Sequence, residues 1–384
     1  MSGTDNFEAV VRERRAEAVA EFHEERTLGR RFQHALHTTP SLVPLIVLMA
    51  SILLFGVLLQ GRFFSAQSLT LILQQVQIVG IVAAAQTLVI LTAGIDLSVG
   101  AIMVLSSVVM GQLAYNIGLP TPLAILCGLG VGTVLGFLNG WLVAVMKLPP
   151  FIVTLGTWQI ILASNFLYSR NETIRSQEIE AEAPLLQFFN QLLNRQVVNW
   201  VEGRGFVSQL PSGTRREDTG GFLDVLWDVN LTYGVILMIV LVAILAYALR
   251  HTAWGRHVYA VGDDPDAAQL SGVNVRGTLI SVYTLSGLIC ALAGWALIGR
   301  IGSVSPTSGQ EANIESITAV VIGGISLFGG RGSIWGALFG ALIVGVFSLG
   351  LRLLGVDPQW TLFFIGVLII VAVLVDQWIR KVAA

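Results

Sequence analysis

Apolar runs of about 20 residues recur along this chain from Leu42 onward, and they decide what it can fold into. Inside a bilayer every backbone N–H and C=O must find a partner within the protein, so only helices and closed barrels cross it. Runs of this length select the helix, because a barrel strand needs only about 10 residues. About ten crossings are expected. They run near Leu42–Leu59, Leu69–Leu91, Leu97–Tyr115, Pro122–Met146, Phe151–Tyr168, Leu231–Leu249, Leu279–Leu297, Ile314–Leu327, Ile334–Leu353 and Trp360–Val375. The eighth is short, and reads as tilted, re-entrant or extended at its start. The 384 residues are 54% hydrophobic and 12% charged, about half the charge of a soluble domain. The expected fold is an all-α integral membrane protein of about ten transmembrane helices with broken or re-entrant segments.

The chain divides by polarity. Residues 1–40 mix Glu and Arg with Phe7, Val10, Val11, Val19 and Phe22, which reads either as an amphipathic helix at the inner surface or as a solvated tail. They lack the apolar core of a signal peptide, so the first span is expected to be its own signal anchor. Residues 41–384 form the transmembrane domain, interrupted by an outer insert at 169–230 and an inner loop at 251–277. Within the insert, the apolar residues from Leu185 to Trp200 suit a helix lying on the membrane. Lys147, Arg250, Arg256, Arg276 and Arg331 gather on one set of short flanks, which places that side and both termini in the cytoplasm. A net charge of −2 implies no nucleic-acid partner, and the apolar composition makes the lipid bilayer one. Cys127 and Cys290 lie far apart in apolar runs and read as core thiols, neither a disulfide nor a metal pair.

Asp96 stands out in Leu91-Thr-Ala-Gly-Ile-Asp-Leu-Ser-Val-Gly100, a break between two uncharged apolar runs. A carboxylate at such a place is costly, so it has a structural or a transport role. It reads as a helix N-cap, as a contact for a substrate hydroxyl, or as both. Gly324-Ile-Ser-Leu-Phe-Gly-Gly330 echoes this break, as internal repeats of transporters do. Gln86, Thr92, Ser98, Asn139, Thr154, Trp158, Gln159 and Asn165 add amides, hydroxyls and an aromatic face at membrane depth. They suit a sugar pathway or, more plainly, helix–helix hydrogen bonding. Glu311 and Glu315 share a face at the outer start of the eighth span; they read as dipole-favourable carboxylates or as docking points for an outside protein. On the inner loop, Asp263 or Asp264 caps a short helix, Pro265 opens it, and Gly272 ends it. Ala267 and Ala268 give that helix a small surface, fit for another protein's groove.

Several of these segments resemble a known family. Asp266-Ala-Ala-Gln-Leu-Ser-Gly272 is similar to the Glu-Ala-Ala coupling motif of ABC importer permeases, with Asp in place of Glu. Gln86–Gly100, Lys147-Leu-Pro-Pro-Phe-Ile-Val-Thr-Leu-Gly156, Gly255-Arg-His-Val-Tyr-Ala-Val-Gly262 and Ala319–Ser333 resemble permeases of bacterial importers for ribose, xylose and fructose. The resemblance runs in order from Pro40 to the C-terminus. It implies a homodimer of permease copies, cytoplasmic ATPase subunits docked on Gly255, Arg256, Gly262, Asp266, Ala267, Ala268 and Gly272, and a periplasmic sugar-binding protein docked on the outer loops, including 169–230, with Glu311 and Glu315 as candidate docking points. It also implies a bacterial inner-membrane location and a monosaccharide substrate, fructose first and ribose or xylose next. ATP would be used by the partner subunits, with no cofactor bound by this chain. The sequence agrees, since it has no Gly-x-x-x-x-Gly-Lys-[Ser/Thr] loop. Two other readings are an ion-coupled secondary carrier working through Asp96, and a membrane enzyme with Asp96 and the two glutamates as acid and base.

Overall fold

The structure is a computed structural model that describes residues 42–191, 199–201, 205–207, 229–357 and parts of 359–374. The helices, in chain order, are α1 (Leu42–Leu59), α2 (Ala66–Leu91), α3 (Val99–Tyr115), α4 (Thr121–Ala144), α5 (Pro150–Ser169), α6 (Ser176–Glu182), α7 (Tyr233–His251), α8 (Ala253–Asp263), α9 (Pro265–Leu270), α10 (Val275–Ile301), α11 (Ala312–Ile322) and α12 (Ile334–Leu353). Strands β1 (Asn199–Val201) and β2 (Gly205–Val207) make a small antiparallel pair in the insert. Among the described residues, seven helices are long and apolar enough to cross a membrane: α1, α2, α4, α5, α7, α10 and α12. The expected third and eighth crossings are the shorter apolar helices α3 and α11. The described residues of the expected tenth, between 359 and 374, are helical.

Burial separates the helices into an inside and an outside. The most apolar stretches of α2, α10 and α12 are 72%, 72% and 78% buried, whereas those of α1, α4 and α5 are 22%, 28% and 22%. On α1 the outward residues Met49, Leu53 and Val57 are large and apolar, a surface that only lipid or another apolar partner accommodates. The tightest pairing is α4 on α10. Gly128, Gly132, Gly136 and Gly140 recur every fourth residue along one face of α4, and a Cβ at Gly136 would stand 2.3 Å from the Tyr283 carbonyl oxygen. Small residues let two membrane helices approach to backbone contact, where dispersion and packing replace the missing hydrophobic drive.

Local signals set the helix starts. Ser65 accepts from Ser68 N–H to cap α2, Thr232 caps α7 through Val235 N–H, and Asn274 caps α10 through Gly277 N–H. Pro150 and Pro265 occupy the first positions of α5 and α9, where the missing N–H costs nothing.

The insert departs from its expected form. Over Pro184–Asn190 it is a 3-10 segment that packs into the bundle, with Leu186 fully buried and Phe189 7% exposed. The Phe189 ring lies 4.6 Å from that of Trp295, Phe188 stacks 5.0 Å from Tyr233, and Trp295 donates to the Leu185 carbonyl. Aromatic burial against α10 outweighs lying along a lipid surface. Residues 192–198 and 208–228, the side chains of 199–207, the N-terminal segment 1–40 and Trp378 lie outside the described residues. Cys127 and Cys290 are free thiols, Cys290 fully buried.

Candidate functional site

The break after α2 is ordered by its own Asp96 and by side chains from three helices. α2 ends at Leu91; Ala93 then takes a left-handed conformation, with φ 59°. Asp96, 2% exposed, accepts from Ser98 N–H at 2.7 Å and from the Ser98 hydroxyl at 2.6 Å. Its carboxylate therefore makes a local Asp turn one step ahead of the helix; Ser98 is the N-cap position of α3, and no side chain caps there. From α4, Asn139 donates Nδ2 to the Ser98 hydroxyl at 2.8 Å. From α5, the Thr154 hydroxyl donates to the Ile95 carbonyl at 3.0 Å. From α11, Asn313 accepts from Gly100 N–H at 2.5 Å and donates to the Leu97 carbonyl. Irregular backbone at membrane depth is tolerable only when buried in protein with its polar groups satisfied, and these contacts do that.

The echoing turn lies against this break. Gly330 N–H donates to the Leu91 carbonyl at 3.0 Å. A Cβ at Gly329, whose φ is +82°, would meet Ala93 N at 2.7 Å. The two glycine-rich breaks therefore meet at one level of the bundle.

The inner loop is a helical hairpin, more ordered than a loop with one short helix. Thr252 caps α8 by accepting from Gly255 N–H, and Val258 and Val261 face the bundle. The hairpin is fastened at three points. Trp254 donates to the Ser281 hydroxyl on α10 at 2.8 Å, and Tyr259 donates to the Gly332 carbonyl at 2.9 Å. Burial raises the Tyr259 phenol above its ordinary pKa, so it stays protonated as a donor. At the third point α8 presses on the break itself: a Cβ at Gly262 would stand 1.8 Å from the Leu91 carbonyl oxygen. Asp264 then caps α9, accepting from Asp266 and Ala267 N–H at 2.9 and 3.0 Å. Gly272, φ +85°, ends it.

Of the residues expected to couple to ATPases, Gly255, Gly262 and Ala268 are buried against this chain's own helices. What the hairpin turns outward is Arg256, Asp266, Ala267 and, above all, Leu270, which is 91% exposed. The sequence reading missed Leu270, α8 and Asn313. α8 had a signal in Thr252 before apolar residues at 254, 258 and 261; Asn313 had only an amide beside the Glu311–Glu315 pair.

The remaining expected pathway residues separate by environment. Thr92 donates to the Val89 carbonyl of its own helix. Gln86 is fully buried, and both atoms of its amide lack a hydrogen-bond partner. Asn165 donates Nδ2 to the Pro306 carbonyl at 2.8 Å, while its buried Oδ1 has none. With Trp158 it lines a water-sized void beside Gln310, and Gln159 lies on the exposed flank of α5. Glu311 stands at the N-cap of α11 and Glu315 in its first turn, at the opposite end of that helix from the glycine-rich turn 324–330.

A bundle of membrane-length helices with two interlocked breaks and a helical hairpin fastened to them defines a multi-pass permease. Residues 68–373 match the family model described as a branched-chain amino acid transport system permease component, and the chain belongs to that family. It is 64% identical over 381 residues to the fructose import permease protein FrcC of Rhizobium meliloti, covering 99% of this chain and 97% of the relative. It is 33% identical to the ribose import permease protein RbsC of Escherichia coli K12, covering 91% of this chain and 97% of the relative. The xylose transport system permease protein XylH of Haemophilus influenzae is 32% identical, over 88% and 96%. No solved structure matches the chain.

Proposed function

We propose that this chain is the membrane-spanning subunit of an importer powered by separate ATP-hydrolysing subunits, and that its cargo is a monosaccharide, fructose ahead of ribose and xylose. Full-length likeness to three sugar import permeases supports the cargo, and the highest identity favours fructose. The family's description as one component of a transport system supports external power over a self-sufficient ion-coupled carrier.

One observation carries the division of labour. α9 is capped, anchored through buried Ala268, and nevertheless holds Leu270 91% exposed beside Asp266 and Ala267. Leu270 joins Asp266 and Ala267 in one outward surface that the fastened hairpin holds in place, which supports docking onto a second protein. Two copies of the permease pair around one pathway, ATPases seat on both hairpins at the cytoplasmic side, where the termini also lie, and a sugar-binding protein meets the opposite end at Glu311 and Glu315. Thr92, Asp96, Ser98, Asn139 and Thr154 shape the break, and Gln86, Trp158, Gln159 and Asn165 keep hydrogen-bonding capacity or open surface for sugar hydroxyls.

The experiment is uptake by the reconstituted complex of permease, ATPase and binding protein. Leu270→Glu should leave the permease folded and inserted but lower ATP-driven fructose uptake at least about tenfold, the equivalent of 1.4 kcal/mol of lost docking. Uptake and ATPase association both equal to wild type would overturn the docking role.

A further inference from the structure

α11 is too short to cross a bilayer. Its 11 residues span about 16 Å at 1.5 Å per residue, roughly half of the ~30 Å hydrocarbon thickness. The chain reaches its start by doubling back. Gly302, φ +76°, ends α10, and Gly309, φ +78°, lies so close to Met103 and Leu297 that a Cβ there would meet them at 2.7 and 3.1 Å. α11 therefore begins beside Ile78 and Val79, halfway along the 26-residue α2.

A cavity of about 400 Å³ opens there, within the 300–1,000 Å³ common for small-molecule sites. Arg300, Gln310, Glu311 and Glu315 supply its polar side. Ile78, Val79 and Leu297 supply an apolar wall. Arg300 and Glu315 attract one another across the cavity, and no ion pair of 4 Å or less joins Arg300 to either glutamate among the described residues. On the far side of Gln310 lies the void lined by Trp158 and by Asn165, whose buried Oδ1 is unpartnered.

We propose that this cavity is a monosaccharide site within the permease, the place where the sugar rests at the start of a broken helix. The proposal rests on the transport reading above. Carboxylates accept from adjacent sugar hydroxyls, the guanidinium donates to hydroxyl or ring oxygens, and the apolar wall packs the C–H face of the ring. The start of α11 adds a positive dipole end on the same side as the two carboxylates.

The test uses the full-length permease in lipid nanodiscs, with carboxyl groups modified by a water-soluble carbodiimide plus an amine and read by peptide mass spectrometry. D-fructose at about twice its dissociation constant should slow modification of Glu311 and Glu315 about threefold, leaving exposed Glu172 unchanged. Equal rates with and without D-fructose overturn the proposal, and protection by L-leucine in its place overturns the sugar assignment. In the reconstituted importer, Glu315→Gln should cut fructose uptake at least about tenfold, with ATPase association at the hairpin unchanged. Weaker binding of the sugar-binding protein to Glu315→Gln without protection by fructose would assign these glutamates to docking alone and overturn the site. Protection by fructose in a permease whose complete importer moves no monosaccharide would uphold the cavity and sink the transport reading.

Discussion

Asp96 is held by its own near neighbours: the Ser98 N–H and hydroxyl both point at one carboxylate oxygen. An acceptor at that position, more than a charge, is what the geometry uses. Asp96→Asn should therefore keep the turn, because an amide oxygen replaces the carboxylate oxygen. Asp96→Leu leaves two buried donors unpaired, at about 1–3 kcal/mol each, and should lower the thermal midpoint of the purified permease well below that of the Asn variant. Equal losses of transport in two variants that stay folded would show instead that the negative charge itself is needed. Gly262 illustrates the opposite constraint, a place where nothing fits. The Leu91 carbonyl oxygen occupies the space of its missing side chain, so the hairpin can reach the break only through a glycine.

At the scale of elements, two shortened helices, α3 and α11, start next to each other and are joined by one amide. Asn313 bridges Gly100 N–H and the Leu97 carbonyl, so the start of each helix is fixed by the other. Both starts also gather carboxylates, Asp96 near α3 and Glu311 with Glu315 on α11, which the positive ends of the helix dipoles favour. Asn313→Ala should orphan a backbone donor and an acceptor, costing about 1–3 kcal/mol for each buried group. The Gly100 amide should then exchange with deuterium faster in hydrogen-exchange mass spectrometry, while peptides from α12 keep their protection. Unchanged exchange at the break would mean that Asn139 and Thr154 hold it without help from α11.

Across the whole molecule, a continuous line of contact runs from α9 through α8 to Leu91, along the Asp96 break, and by way of Asn313 to the start of α11. Force applied at the hairpin has a packed route through the break to the start of α11. Purified alone in liposomes, with a sugar gradient and a proton or sodium gradient imposed, the permease should accumulate no fructose; coupled uptake without ATPase would overturn the importer reading. The membrane class and the approximate spans were legible in sequence because lipid demands long apolar helices, and the α9 cap was legible because Asp264, Pro265 and Gly272 act on their nearest neighbours. The short length of α11 was hinted at and that of α3 was not, since an apolar run does not say whether its neighbours leave it room to cross. The folding of Pro184–Asn190 into the bundle, the burial of Gly262 and Ala268, the exposure of Leu270 and the bridge at Asn313 were decided by tertiary structure alone. Each depends on which side chain, hundreds of positions away in some cases, fills the space opposite, and residue spacing along one segment carries no record of that partner.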